Sequence, residues 1–107
     1  MDVYHIWCDL KDSTEDKVFS NAVTAYLTRL QAEGVIARWR LMRRKLGLAP
    51  ADMQDFHVMI ETRSLSQLDE AFRLVAPREG PVEELHHEVY SRVCNLRFAL
   101  YRDYPDE

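Results

Sequence analysis

The chain is poor in cysteine, glycine and proline, with two, three and four respectively in 107 residues. It also lacks any apolar run approaching the ~20 residues that a membrane-spanning helix needs. Cys8 and Cys94 lie inside apolar periodic segments, and neither belongs to a Cys-x-x-Cys pair. That rules against a disulfide-stapled scaffold and against zinc or redox chemistry, and it fits reduced thiols in a cytoplasmic protein. Basic charge is not in excess either. Fourteen Lys and Arg stand against 18 Asp and Glu, giving a net charge of −4 and a pI near 5.5, so a general nucleic-acid binder is not expected. The opening MDVYHIW has no basic region and no long apolar stretch, and reads as no secretory leader. Repeats and low-complexity segments are missing. The expectation is one cytoplasmic domain over residues 1–107, with 103–107 as a mobile acidic tail, no membrane or nucleic-acid partner, and a core that needs no cross-links.

What is present is periodicity. Val3 to Lys11 alternates, with Tyr4, Ile6, Cys8 and Leu10 on one face and Val3, His5, Trp7 and Asp9 on the other. This predicts a central strand with one core face and one mixed polar-aromatic face. Asp12 to Asp16 offers N-caps to a helix whose Val18, Phe19, Ala22, Val23, Tyr26, Leu27 and Leu30 share one side. Gly34 follows as its left-handed cap. A second strand over Val35–Arg44 turns Val35, Ala37, Trp39 and Leu41 inward and Ile36, Arg38, Arg40 and Met42 outward; Leu46 to Asp55 reads as a loop. Phe56–Thr62 is a third strand, with Phe56, Val58 and Ile60 inward and His57, Met59 and Glu61 outward.

Ser64 and Gln67 form a capping box for a second helix that buries Leu65, Leu68, Ala71, Phe72 and Val75 and stops at Pro77. Pro81 opens a third helix that runs to about Val93 on a stripe of Val82, Leu85, Val89 and Val93. A fourth strand over Asn95–Arg102 then turns Leu96, Phe98 and Leu100 inward and Arg97, Ala99 and Tyr101 outward. A single long strand over Glu88–Tyr101 is the open alternative.

The order β-α-β-β-α(α)-β is that of the ferredoxin-like α+β fold, with a four-stranded antiparallel sheet and all helices on one face. The other face then carries His5, Trp7, Asp9, Ile36, Arg38, Arg40, Met42, His57, Met59, Glu61, Arg97 and Tyr101. That plane is roughly 400 Å² at ordinary strand rise and spacing, near the limit of apolar surface that monomers leave open. A face-to-face homodimer is the simplest remedy. The element order, the length, and the segments GVIARWRLMRRKLGLAP (34–50) and DFHVMIETRSLSQLDEAF (55–72) resemble an uncharacterised bacterial branch of the dimeric α/β-barrel superfamily. The resemblance implies a dimer with a cavity. It names no reaction, because relatives span cofactor-independent monooxygenases, small isomerases, haem-dependent dismutases and proteins without known activity.

Each candidate group on the open face has a functional and a structural reading. His5, Asp9, His57 and Glu61 share that face of the two central strands and could form an acid/base pair or hold a divalent metal. Equally, each is a hydrogen-bonded polar residue in a wet interface. His57 and Glu61 stand about 13 Å apart along one strand, so any site must be built across strands. Arg38, Arg40 and Arg97 could hold a carboxylate or phosphate, or pair with Asp9 and Glu61; Arg43, Arg44 and Lys45 suit protection of a sheet edge. Trp7 and Tyr101 could wall a pocket for an aromatic ligand or anchor a dimer. The reading is a homodimer that binds a small aromatic or anionic organic ligand between its two sheets, without cofactor or metal. The alternative is a monooxygenase- or isomerase-like enzyme with His5 or His57 as acid/base. Cys8 reads as inert core. His86 and His87 point about 100° apart on a helix, cannot chelate together, and are expected on a solvated face.

Overall fold

The computed structural model describes residues 1–80 and 82–106. Its strands are β1 (Asp2–Leu10), β2 (Arg38–Arg43), β3 (Phe56–Thr62) and β4 (Val93–Arg102); its helices are α1 (Asp16–Ala32), α2 (Leu65–Val75) and α3 (Glu83–Tyr90). The strands form one antiparallel sheet in the order β2-β3-β1-β4. This is the ferredoxin-like arrangement, with β1 central between β3 and β4. No helix among the described residues is long and apolar enough to cross a membrane. The helix/strand ambiguity of 82–93 resolves in favour of helix over Glu83–Tyr90, and Pro81, assigned to its first turn, lies outside the described residues.

The local signals act much as their chemistry dictates. Asp12 caps a short 3-10 turn at Ser13–Glu15, accepting from Thr14 N at 2.9 Å and Thr14 Oγ1 at 2.7 Å, and α1 follows directly. Gly34 takes φ +75° past the end of α1, which lets Gly34 N and Val35 N donate to Gln31 O and Leu30 O. Ser64 caps α2 by accepting from Gln67 N at 3.2 Å. The Gln67 side chain does more than close a capping box: it accepts from Arg63 N at 2.7 Å and donates to Gly34 O at 3.0 Å, tying the start of α2 to the end of α1.

The core lies between sheet and helices, where Cys8, Phe19, Val23, Leu27, Phe56 and Val58 are buried. Phe19 is completely enclosed and meets Phe56 edge-on at 5.1 Å. Four expectations need correcting. Ile36 belongs to this core and not to the open face: β2 begins only at Arg38, and the residues before it cross from α1 with Ala37 N bonded to Glu61 O, so strand alternation does not apply to them. Val93 is a strand residue. A bulge between the Trp7–Arg97 and Asp9–Cys94 pairs inserts Asn95 in a left-handed conformation, φ 53°, which turns both Val93 and Leu96 to the helix side despite their odd spacing. Finally, Leu96, Phe98 and Leu100 face the helices as expected but are not covered. They are 44%, 57% and 52% exposed because β4 is an edge strand and α3 is only eight residues long. Leu65 and Phe72, expected to be buried on α2, are likewise exposed.

Candidate functional site

Two groups of side chains stand out, one on each side of the sheet. On the open side the β1–β3 register sets Trp7 opposite His57 and His5 opposite Met59. Residues directly opposite point the same way, so Trp7, His57 and His5 meet. The His57 ring stacks on Trp7 at 4.5 Å and on His5 at 5.1 Å, and Tyr101 from β4 meets His5 edge-on at 5.1 Å. His5 Nδ1 and His57 Nε2 share a hydrogen bond of 2.9 Å. Desolvation lowers the pKa of both imidazoles, and for His57 the neighbouring His5 lowers it further. The two rings therefore sit as a neutral, stacked pair, one nitrogen donating and the other accepting.

The carboxylates expected beside them are engaged elsewhere. Asp9 accepts from Asp55 N at 2.8 Å and from Asn95 Nδ2 at 3.1 Å, pinning the β2–β3 loop on one side and the β4 bulge on the other. Glu61 pairs with Arg38 at 3.2 Å. Arg97 reaches Met53 Sδ at 3.1 Å and Asp52 at 3.7 Å. Arg40 lies exposed on β2, and no ion pair to it is seen among the described residues. The structure thus brings His5, His57, Trp7 and Tyr101 together and leaves Asp9, Glu61, Arg38, Arg40 and Arg97 at the margins. The expected imidazole–carboxylate partnership is an imidazole–imidazole one. Among the described residues no three His, Cys, Asp or Glu side chains converge as a metal site would require.

The second group was not foreseen. Between sheet and helices a cavity of about 310 Å³ opens toward β4, walled by Tyr4, Ile6, Phe72, Val75, Val89 and Phe98 among others. Tyr4 holds its position by stacking on Phe98 at 6.0 Å and meeting Phe72 edge-on at 5.2 Å. Its polar lining gathers on the α3 side, where His86, Tyr90, Arg78 and Tyr26 face the space. His86 is four-fifths buried, which corrects the expectation of a solvated helix face. Adjacent histidines on a helix do diverge, and only His87 takes the exposed direction. His86 stacks on Tyr26 at 5.0 Å and meets Tyr90 edge-on at 4.7 Å. Tyr90 Oη donates to Glu83 Oε1 at 2.7 Å, and His86 Nδ1 stands 3.7 Å from Glu83 Oε2. Burial pushes Tyr26 up to about 12. One sequence signal pointed here: Glu83, His86 and Tyr90 are spaced three and four apart, which places them on one helical face alongside the apolar stripe.

Cys8, as expected, is core. Its thiol is pushed up to about 12 by burial first and by Asp9 and Cys94 next, so it is not a nucleophile at neutral pH.

The comparisons with known proteins bear on the fold. A dimeric ferredoxin-like protein of unknown function from Jannaschia sp. CCS1 superposes with a TM-score of 0.69 at 12% identity, over 96% of this chain and 100% of that one. The Arabidopsis thaliana protein At3g17210 superposes with a TM-score of 0.72 at 9% identity, over 100% and 99%. A dabb family protein with a ferredoxin-like fold from Mesorhizobium loti gives 0.65 at 11% identity, over 95% of each. At such identities the likeness is one of fold. No curated protein matches the sequence. Residues 1–107 match the model of a family of unknown function, DUF6614, and the chain belongs to that family.

Proposed function

We propose that the protein is a homodimer that binds a small, planar, largely apolar organic ligand, with one binding cavity per protomer under the helices instead of one shared space between the sheets. The cavity carries this reading. Its volume of about 310 Å³ is at the lower end of the range used for small ligands, its walls are mainly apolar, and its few polar groups converge on one side. The stacked cluster of His5, Trp7, His57 and Tyr101 suits a different task. Its imidazoles spend a nitrogen each on one another, no carboxylate among the described residues orients them, and aromatics on an otherwise open sheet face are what a partner subunit covers. A second copy is the occupant this supports, since structural relatives from Jannaschia, Bacteroides fragilis and Thermobifida fusca are described as dimeric. Two free thiols, Cys8 and Cys94, are in keeping with a reducing, cytoplasmic setting.

The ligand test uses 7-hydroxycoumarin, a planar bicyclic probe small enough for the cavity. Titration followed by calorimetry is expected to give a Kd on the order of 1 mM or tighter, from about −0.3 kcal/mol per non-hydrogen atom. Val75→Trp, which fills the space from a half-buried position on α2, is expected to abolish binding while the protein still melts cooperatively. Equal binding by the filled variant, or none by the wild type, refutes the cavity reading. Sedimentation tests the dimer separately: a species of 12.6 kDa at micromolar concentration would refute it.

A further inference from the structure

We infer that the α3 wall of the cavity is a general-base site for a planar phenol or enol, in which His86 takes the hydroxyl proton, Glu83 holds the resulting imidazolium and Arg78 faces the oxyanion. The inference rests on the ligand-binding reading above and adds to it the chemical class of the ligand and the role of each polar group.

Four observations converge. First, His86 is fixed from two sides by Tyr26 and Tyr90, so its imidazole presents a defined edge to the cavity. Second, His86 Nδ1 and Glu83 Oε2 are both buried and neither has a hydrogen-bond partner among the described residues, although they stand only 3.7 Å apart. Two complementary buried atoms left just outside bonding distance form a pair that a slight shift closes, and leaving such a bond unmade is unfavourable. Third, the other oxygen of Glu83 is held by Tyr90 Oη at 2.7 Å, which fixes the carboxylate toward the imidazole. Fourth, the Arg78 guanidinium lies 4.3 Å from the Tyr90 ring centre, on the same wall, with no carboxylate in ion-pair distance among the described residues. Arg78 itself has φ 52°, a left-handed conformation that costs a non-glycine residue energy.

The chemistry follows from the order of charges. The ligand's O–H proton passes to His86 Nε2 and the bonding electron pair stays on the ligand oxygen. The products are an imidazolium facing Glu83 and an oxyanion facing Arg78, so negative and positive charges alternate across the wall. In a largely apolar cavity such an arrangement is worth more than it is in water. The base form is available beforehand, since desolvation lowers the pKa of His86, with Arg78 acting in the same direction and Glu83 against it. No other reactant is needed. The reaction class is relocation of a proton on the bound ligand, with the same imidazolium returning it.

7-Hydroxycoumarin also serves here, because its phenol and phenolate absorb at different wavelengths. The wild-type protein is expected to lower the pKa of the bound probe by about one unit or more, a tenfold rise in phenolate at a fixed pH below the free value. His86→Gln is expected to bind the probe within a few-fold of wild type and to lose the shift. If that variant does not fold, Glu83→Gln decides in its place, and loss of most of the shift is the supporting result. Binding with an unshifted spectrum, or a shift that survives the substitution, overturns the general-base assignment and leaves the cavity reading standing. No binding at all by the wild type overturns both.

Discussion

On one side of the sheet Cys8, Phe56 and Val58 disappear beneath α1, and Tyr4, Ile6 and Val75 line a cavity beside them. On the other side His5, Trp7, His57 and Tyr101 lie against one another, and no element among the described residues covers them. Both faces hold histidine, tyrosine and ion pairs, yet the environments differ in kind. The helix side offers a cavity, open toward β4, beside a carboxylate and an imidazole whose facing atoms lack partners among the described residues. The open side offers a flat platform whose imidazoles have partnered each other, while its carboxylates are committed to loops and arginines. A cavity with unmet polar atoms suits a ligand, and a flat aromatic surface whose imidazoles are paired suits another protein.

The comparison breaks most sharply at Phe19. It is fully enclosed between α1 and the sheet and packs edge-on against Phe56, so Phe19→Ala should cost about 3–5 kcal/mol through lost transfer energy and the cavity left behind. Denaturant titration at fixed protein concentration measures it. A cost below about 1 kcal/mol would mean that the helix side is already too loosely packed to notice, and that the 310 Å³ space is a symptom of poor packing and not a site.

Trp7→Ala probes the opposite face. Among the described residues Trp7 stacks only on His57 and His5, so the fold should tolerate its loss. A tryptophan at the centre of an interface is worth about 2 kcal/mol or more in association, which weakens a dimer roughly thirtyfold or beyond. Sedimentation equilibrium over a concentration series is the measurement. A variant that unfolds as readily as Phe19→Ala would erase the distinction between a folding face and an assembly face.

How much of this was legible beforehand differs between the two faces for a physical reason. Strand alternation is strict, so His5, Trp7, His57 and Tyr101 could be assigned to one face from the residues alone, and β1, β3 and the sheet order followed from the same pattern. Ile36 and Val93 were misplaced where alternation is interrupted, by the crossing into β2 and by the Asn95 bulge. Asp9 was placed on the correct face but given the wrong partner, since a bond to Asp55 N depends on where a loop folds back and leaves no periodic trace. His86 was missed for a related reason. A helix with a narrow apolar stripe leaves the boundary of its buried face undefined, and only the contact with Tyr26 of α1 shows that His86 lies inside it. The coverage of β4 was equally invisible, because it depends on the length of α3 relative to the strand it should shield.

The smallest expected effect is a pH dependence that both faces share in sign and should not share in its response to concentration. His5, His57 and His86 all have their pKa values lowered in the folded protein, by desolvation in each case first. Above the ordinary histidine pKa of about 6.5 all three are neutral in both folded and unfolded chains, and they contribute no pH dependence. As pH falls below that value the unfolded chain takes up protons first, so the native state loses stability until pH passes below the folded pKa values as well. Thermal melts should therefore shift downward between neutral and mildly acidic pH. His86→Gln removes the share that belongs to the cavity wall, and what remains belongs to the His5–His57 pair. A partner subunit would bury that pair further and desolvate it more, so the remaining dependence should steepen at protein concentrations that favour the dimer, whereas the His86 share should be unchanged by dilution. A melting profile whose pH dependence in the His86→Gln variant is identical at high and low protein concentration would show that the imidazole pair does not lie in a subunit interface.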